Sequence, residues 1–266
     1  DARIPLSSRN PDIDELGKNK FRLILLNKSD LADPVQNKKW TAFFEEKGYA
    51  VLEINAKTGA GMRSIQDTIR AVCKEKIERD KKRGIVNRPI RAMVVGIPNV
   101  GKSTFINSFA KKACAKTGNK PGVTKGKQWI KVNPTLELLD TPGILWPKFE
   151  DQSVGMKLAF IGSIKDDILD VEELAMNLLD EVRRNYPDLV AQRYKLDAET
   201  LALPPYELLE AIGRKRGLLV RGGEVNTERC AIMLVDEFRA CKWGRISLER
   251  PPQRDDLADF AEEDDE

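Results

Sequence analysis

Residues 92–104 read AMVVGIPNVGKST, and this stretch decides the fold. A short apolar run, Ala92–Val95, leads into Gly96-Ile97-Pro98-Asn99-Val100-Gly101-Lys102-Ser103, which matches GxxxxGK[ST], and a helix-forming segment follows over 102–112. Strand, glycine-rich loop and helix together are the context in which this pattern cradles phosphates. Glycines let consecutive backbone N–H groups curl around an anion, and the helix N-terminus adds positive potential. Lys102 is then expected to reach β- and γ-phosphates and the Ser103 hydroxyl to ligate Mg²⁺, with Asn99, Val100, Gly101 and Thr104 completing the loop.

Upstream, Asn27-Lys28-Ser29-Asp30 closes the apolar run Leu23–Leu26 and matches NKxD. A carboxylate at Asp30 can accept from the N1–H and N2–H₂ of guanine, which adenine does not offer, so the motif selects by leaving the wrong base unpaired. Asn27 holds the loop, and the Lys28 stem covers a ring face. A second upstream run, Val51–Ile54, ends in Asn55-Ala56-Lys57, the place of the short loop that backs the guanine. Downstream, Leu136–Leu139 leads into Asp140-Thr141-Pro142-Gly143, a DxxG. Asp140 is expected to bind Mg²⁺ through water and the Gly143 N–H to sense the γ-phosphate. Thr124, in Pro121-Gly122-Val123-Thr124, suits the remaining Mg²⁺ ligand. The candidate catalytic residues are Lys102, Thr124 and Gly143, the candidate metal ligands Ser103, Thr124 and Asp140.

All of these motifs fall at carboxyl ends of expected strands, where an open α/β sheet binds ligands, and together they describe a GTP/GDP and Mg²⁺ site. Their order is unusual: guanine motif, backing loop, phosphate loop, threonine loop, DxxG. The expected fold is therefore α/β, a circularly permuted P-loop GTPase domain with a doubly wound, mostly parallel sheet, in which Trp129–Val132 pairs with Leu136–Leu139. Helices are expected over Lys38–Lys47 and, as one element, from Met62 to Lys82. Permutation makes DxxG lead directly into the C-terminal helices through Ile144–Phe149, so a change at the γ-phosphate can pass along the chain.

Beyond residue 151 the strands stop. Val171, Leu174, Ala175, Leu178, Leu179, Val182 and Tyr186 follow helical spacing behind an Asp170/Glu173 capping pattern, and Pro187 ends that helix. Further helices are expected from Pro204-Pro205 to Gly217 and over Thr227–Cys241. The expected organisation is a GTPase domain over 1–150, a small all-helical C-terminal domain over 151–250 and an acidic, disordered tail over 251–266.

Of the 266 residues, 33% are charged and 41% hydrophobic, with no apolar run long enough for a membrane span. Four scattered cysteines with no CxxC pair fit a reduced, cytoplasmic setting. There is no histidine, so an imidazole base is excluded from these residues. The net charge of +3 hides an asymmetry: residues 250–266 carry two arginines against eight acids, a net of −6, which leaves +9 on the rest. Residues 110–131 hold seven lysines and no acid, and Arg214, Lys215, Arg216 and Arg221 form a second cluster. Each cluster reads either as a solvated face or as an RNA-facing one. Asn99 suits either a K⁺ ligand or a plain loop contact. Ile144 stands where many GTPases place a water-orienting glutamine, which predicts slow intrinsic turnover.

The opening Asp1-Ala-Arg-Ile-Pro-Leu-Ser-Ser-Arg-Asn10, the loop GIPNVGKST, the segment ELLDTPGILWPKFED and the later VGMKLA resemble the bacterial ribosome biogenesis GTPase A (RbgA/YlqF) family. The resemblance covers the chain to about residue 250. It implies a GTPase that matures the large (50S) ribosomal subunit, with the helical domain contacting rRNA; the chain itself is expected to be monomeric off the ribosome and not membrane-bound. It also implies a further segment before Asp1, with a strand and a histidine used in hydrolysis. The missing water-positioning group is expected there, on a bound cation such as K⁺, or on the partner. The alternative, from another class, is a GTP-gated docking scaffold for RNA or protein with little catalysis.

Overall fold

The computed structural model describes residues 1–85, 88–114, 128–141, 151–164 and 170–252. Helix α1 (Asp12–Leu16) precedes β1 (Leu23–Leu26), α2 (Pro34–Glu46) and β2 (Ala50–Glu53). Then come α3 (Ile65–Val72), α4 (Lys74–Lys82), β3 (Ile90–Val94), α5 (Lys102–Cys114), β4 (Gln128–Asn133) and β5 (Leu136–Asp140). The remaining described elements are helical: α6 (Gln152–Phe160), α7 (Val171–Asn185), α8 (Pro187–Tyr194), α9 (Ala198–Leu201), α10 (Pro205–Lys215) and α11 (Thr227–Arg239).

The strands form two sheets. β1 and β2 pair in parallel, and β3, β5 and β4 lie in that order, with β3 parallel and β4 antiparallel to β5. The mixture is the mostly parallel α/β architecture expected from the apolar runs, and β4 pairs with β5 as the sequence predicts. Phe105, Ile106 and Phe109 of α5 bury against Val132, Leu136 and Leu138 of the β4–β5 hairpin. Trp40 and Phe44 of α2 bury with Leu26 and Val51.

Local chemistry explains where the elements start and stop. Helix α2 begins a turn before the expected Lys38, because Asp33 accepts the Val35 N–H and Pro34 takes the first helical position. The single helix expected over 62–82 is broken at Cys73, which caps the end of α3 and the start of α4; α4, KEKIERDKK, has too few apolar positions to keep a continuous buried stripe. Pro187 does lie just beyond the end of α7, as expected, but it also opens α8 at its first position, where the missing N–H costs nothing. Asp170 caps α7 by accepting from Glu172 and Glu173 N–H.

The helices pack α7 against α10 and α11 around Leu178, Leu179, Val182, Leu208, Ile212 and Leu234. This core also takes in Ile4 and Ile97, both fully buried. After α11 the chain returns across the α/β half as an extended strap. Ile246 N–H donates to Leu31 O (3.1 Å) and Leu248 N–H to Arg3 O (2.9 Å). Glu249 accepts from the Leu6 and Ser7 N–H groups and the Ser7 hydroxyl, and its own carbonyl accepts from the Trp40 indole.

Candidate nucleotide-binding site

The loop between β3 and α5 leaves the strand at Val95 and enters the helix at Lys102. Gly101 has φ 96°, a left-handed value, and a Cβ there would lie 2.4 Å from the Asn27 side-chain nitrogen. Only glycine satisfies both conditions. Asn99 also takes positive φ (60°), within the range that asparagine tolerates. Ser103 and Thr104 are exposed at the first turn of α5, where backbone N–H groups have no intrahelical partner. The Lys102 ammonium donates to Ile97 O (2.9 Å). Burial pulls its pKa down, and the Asp140 carboxylate opposes that shift.

Asn27 holds three segments together. Its Nδ2 donates to Val100 O (2.8 Å) in the phosphate loop, and its Oδ1 accepts the Ala56 N–H (3.0 Å) in the loop after β2. Lys28, at φ 58°, sends its ammonium to Asn99 O (2.8 Å). Burial and the Arg3 guanidinium lower that ammonium to about 8, against the pull of Asp30. Asp30 is exposed beside this junction. Asn55 turns the backing loop by accepting the Lys57 and Thr58 N–H groups, and Ala56 is buried while Lys57 is exposed.

Asp140 ends β5 as the register partner of Val94, at the mouth of the phosphate loop, and Thr141 Oγ1 donates to Val94 O (2.6 Å). Thr124, Gly143 and Ile144 lie outside the described residues, as do most of the lysines of 110–131. Of the other cluster, Arg216 pairs with Glu237 (2.7 Å) and Lys215 bonds Lys195 O, while Arg214 and Arg221 are exposed. Among the described residues, no group of three or more acidic or cysteine side chains could hold a metal by itself. No helix among them is long and apolar enough to cross a membrane.

One set of contacts has no counterpart in the sequence motifs. The phosphate loop leans on the turn after α6: Asn99 Nδ2 donates to Gly162 O (2.6 Å) and Ser163 Oγ to Pro98 O (2.9 Å). Ile97 is buried in the helical core, and Val100 packs against it. These acceptors are backbone carbonyls, which leave no mark in a sequence.

Comparison with known proteins agrees with this geometry. Residues 91–202 match a family described as 50S ribosome-binding GTPase. A Bacillus cereus protein named ribosome biogenesis GTPase A is 48% identical over 253 residues, which span 95% of this chain and 85% of that protein. A Thermotoga maritima protein of the same name is 32% identical, spanning 94% and 84%. Two solved structures of T. maritima YlqF also match. The GDP-bound one has a TM-score of 0.66 and 27% identity, covering 94% of this chain and 92% of that one. The GNP-bound one has a TM-score of 0.62 and 28% identity, covering 95% and 91%.

Proposed function

The chain belongs to the ribosome biogenesis GTPase A family, and from that premise we propose that it is a guanine-nucleotide-driven assembly factor for the large ribosomal subunit. It binds guanine nucleotides and hydrolyses GTP. The observation that carries the reading of the site is the Asn27 junction. One amide of the guanine motif holds both the backing loop and the phosphate loop, which lie 29 and 73 residues from it in sequence.

In this reading Asp30 accepts from the guanine edge, and Lys28 and the 55–57 loop flank the ring. Backbone N–H groups of 99–104 hold the β-phosphate, while the Lys102 ammonium moves from Ile97 O to the β- and γ-oxygens. Thr124 and Gly143 complete the γ-phosphate contacts. Hydroxyl and carboxylate oxygens are the donors Mg²⁺ prefers, and Ser103 and Asp140 flank the same loop, so these residues fit that ion, with Thr124 as the third ligand. When bound, Mg²⁺ neutralises charge on the β- and γ-oxygens. Asn99 keeps its side-chain oxygen available for K⁺, since its nitrogen is the atom bonded to Gly162.

The partner in this reading is a 50S precursor and its rRNA, met by the lysines of 110–131 and the exposed Arg214 and Arg221. The chain works in the cytoplasm as a monomer off the ribosome, with a GTPase unit over 1–150, a helical unit over 151–250 and a solvated acidic tail over 251–266. The scaffold alternative is not favoured, because the relatives carry the name of an enzyme. The test is steady-state phosphate release from GTP with purified ribosomal subunits. Stimulation by large but not small subunits is expected; equal rates with both, or none, would overturn the proposal.

A further inference from the structure

The first three residues are built around Lys28. Asp1 is buried, and its carboxylate receives the Arg3 backbone N–H (3.1 Å), Arg3 Nε (2.9 Å) and Arg3 Nη2 (2.8 Å). The oxygen bonded to Nη2 also pairs with the Lys28 ammonium at 2.9 Å. Ala2 N–H donates to Asn27 O (2.8 Å), so the same three residues brace both leading positions of the NKxD motif. Arg3 is fixed in turn by the helical half: its guanidinium lies over the Phe238 ring at 5.4 Å, and its carbonyl accepts the Leu248 N–H.

Arg3 alone would neutralise the buried carboxylate. The second cation is a lysine on a left-handed backbone, with its ammonium held between that carboxylate and Asn99 O. A lysine stem left free samples many rotamers, and a ligand that orders it loses binding energy in doing so. Ordering it beforehand removes that cost.

We propose that Asp1 is a positioning residue for nucleotide binding: its carboxylate, held by Arg3, fixes the Lys28 ammonium against the phosphate loop before the base arrives. The proposal rests on the reading of Lys28 as a guanine-flanking residue. Replacing Asp1 by Asn removes the charge but keeps the shape. Loss of one charge-assisted contact is expected to weaken nucleotide binding about tenfold, equivalent to about 1.4 kcal/mol.

The test titrates fluorescently labelled GDP into four proteins: unaltered, Asp1→Asn, Lys28→Met and the double variant. Asp1→Asn is expected to weaken binding in the presence of Lys28 and to add nothing once Lys28 is Met. Additive losses would mean that Asp1 acts on the fold and would overturn the positioning role. So would unchanged affinity in Asp1→Asn beside a weakened Lys28→Met. Unchanged affinity in Lys28→Met would instead overturn the underlying reading of the site. A measurement on the unaltered protein covers the case in which Asp1→Asn does not fold. The Lys28 ammonium, identified by its loss in Lys28→Arg, is expected to give a slowly exchanging ¹H–¹⁵N signal in nucleotide-free protein. Absence of that signal overturns the proposal.

Discussion

Replacing Asn27 by Ala removes both bonds of the junction at once, and their surroundings set the size of the effect. The Ala56 N–H that Asn27 Oδ1 receives belongs to a residue only 2% exposed, so no water replaces the lost acceptor. Leaving a buried donor unpaired costs about 1–3 kcal/mol. Val100 O is less enclosed and is re-solvated more readily, for about 0.5–1.5 kcal/mol. If the phosphate loop and backing loop are pre-set by this amide, the combined loss of about 1.5–4.5 kcal/mol appears as weaker GDP binding, from roughly tenfold to roughly two thousandfold. Gly101→Ala sharpens the test. Its backbone strain, about 1–2 kcal/mol for a left-handed residue, is present in any background. Its collision at 2.4 Å is with the Asn27 amide nitrogen and disappears when that residue is Ala. The double variant should therefore lose less than the sum of the single losses by at least about 1 kcal/mol, beyond the roughly 0.3–0.5 kcal/mol expected of independent sites. The assay is titration with labelled GDP, with thermal melting of each variant alongside. Strict additivity, or unaltered affinity in Asn27→Ala, would refute the view that this amide assembles the site.

Asp30→Asn should weaken GTP binding at least about a hundredfold and gain binding of xanthosine nucleotides, whose C2 carbonyl accepts from the new amide; equal loss of both would remove Asp30 from base recognition. Turnover in KCl should exceed that in NaCl at equal ionic strength, and Asn99→Ala should abolish the difference; equal rates in the unaltered protein would remove the K⁺ role. Glu237 lies among Arg193, Arg216 and Tyr194. Burial disfavours its charge, but the Arg193 and Tyr194 hydrogen bonds outweigh burial and hold its pKa below the ordinary 4.5. Because the folded value is the lower one, its stabilisation is complete above 4.5 and is lost as pH falls through the folded value. Glu237→Gln should thus destabilise the fold near neutral pH, by about 1.5–3 kcal/mol for the lost hydrogen bonds to charge, and flatten the acid limb of a urea-midpoint profile below 4.5; an unchanged slope there would contradict the assignment.

The α/β half is legible in the sequence because its strands are short runs rich in apolar residues, and five such runs stand at the expected places with ends shifted by a residue or two. The run Leu23–Leu26 coincides with its strand, whereas the strand at Val51–Ile54 spans Ala50–Glu53. The site motifs are legible for a different reason: phosphate cradling needs glycine, lysine and hydroxyl at fixed offsets. Less legible are the elements that depend on distant partners. Helices α6 and α8 have short or mixed patterns and take their burial from the core around α7. The strap after α11 is extended chain whose bonds reach Ser7, 242 residues away. The opening Asp-Ala-Arg carries a family resemblance but no readable role, because its meaning lies in a salt bridge to Lys28 that only the folded chain assembles.

Those distant partners bear on how a nucleotide signal could travel. The expected route is covalent, from DxxG through 144–149 into the helices. The structure adds a second, non-covalent one, because the phosphate loop is itself packed on the helical half. Ile97 is buried in its core, and Asn99 and Ser163 bond across the boundary in opposite directions. The strap approaches from the other side, through Leu31 and Arg3, beside the guanine motif. The helical half thus touches the site at its phosphate end and its base end. A ligand can bias another surface only through contacts that differ between two states. The Asn99 amide is placed to make such a contact: drawing its oxygen onto a cation would pull on the same side chain whose nitrogen grips Gly162. The helices need not wait for DxxG to move, because any change in the backbone around Asn99 already shifts a bond that they share.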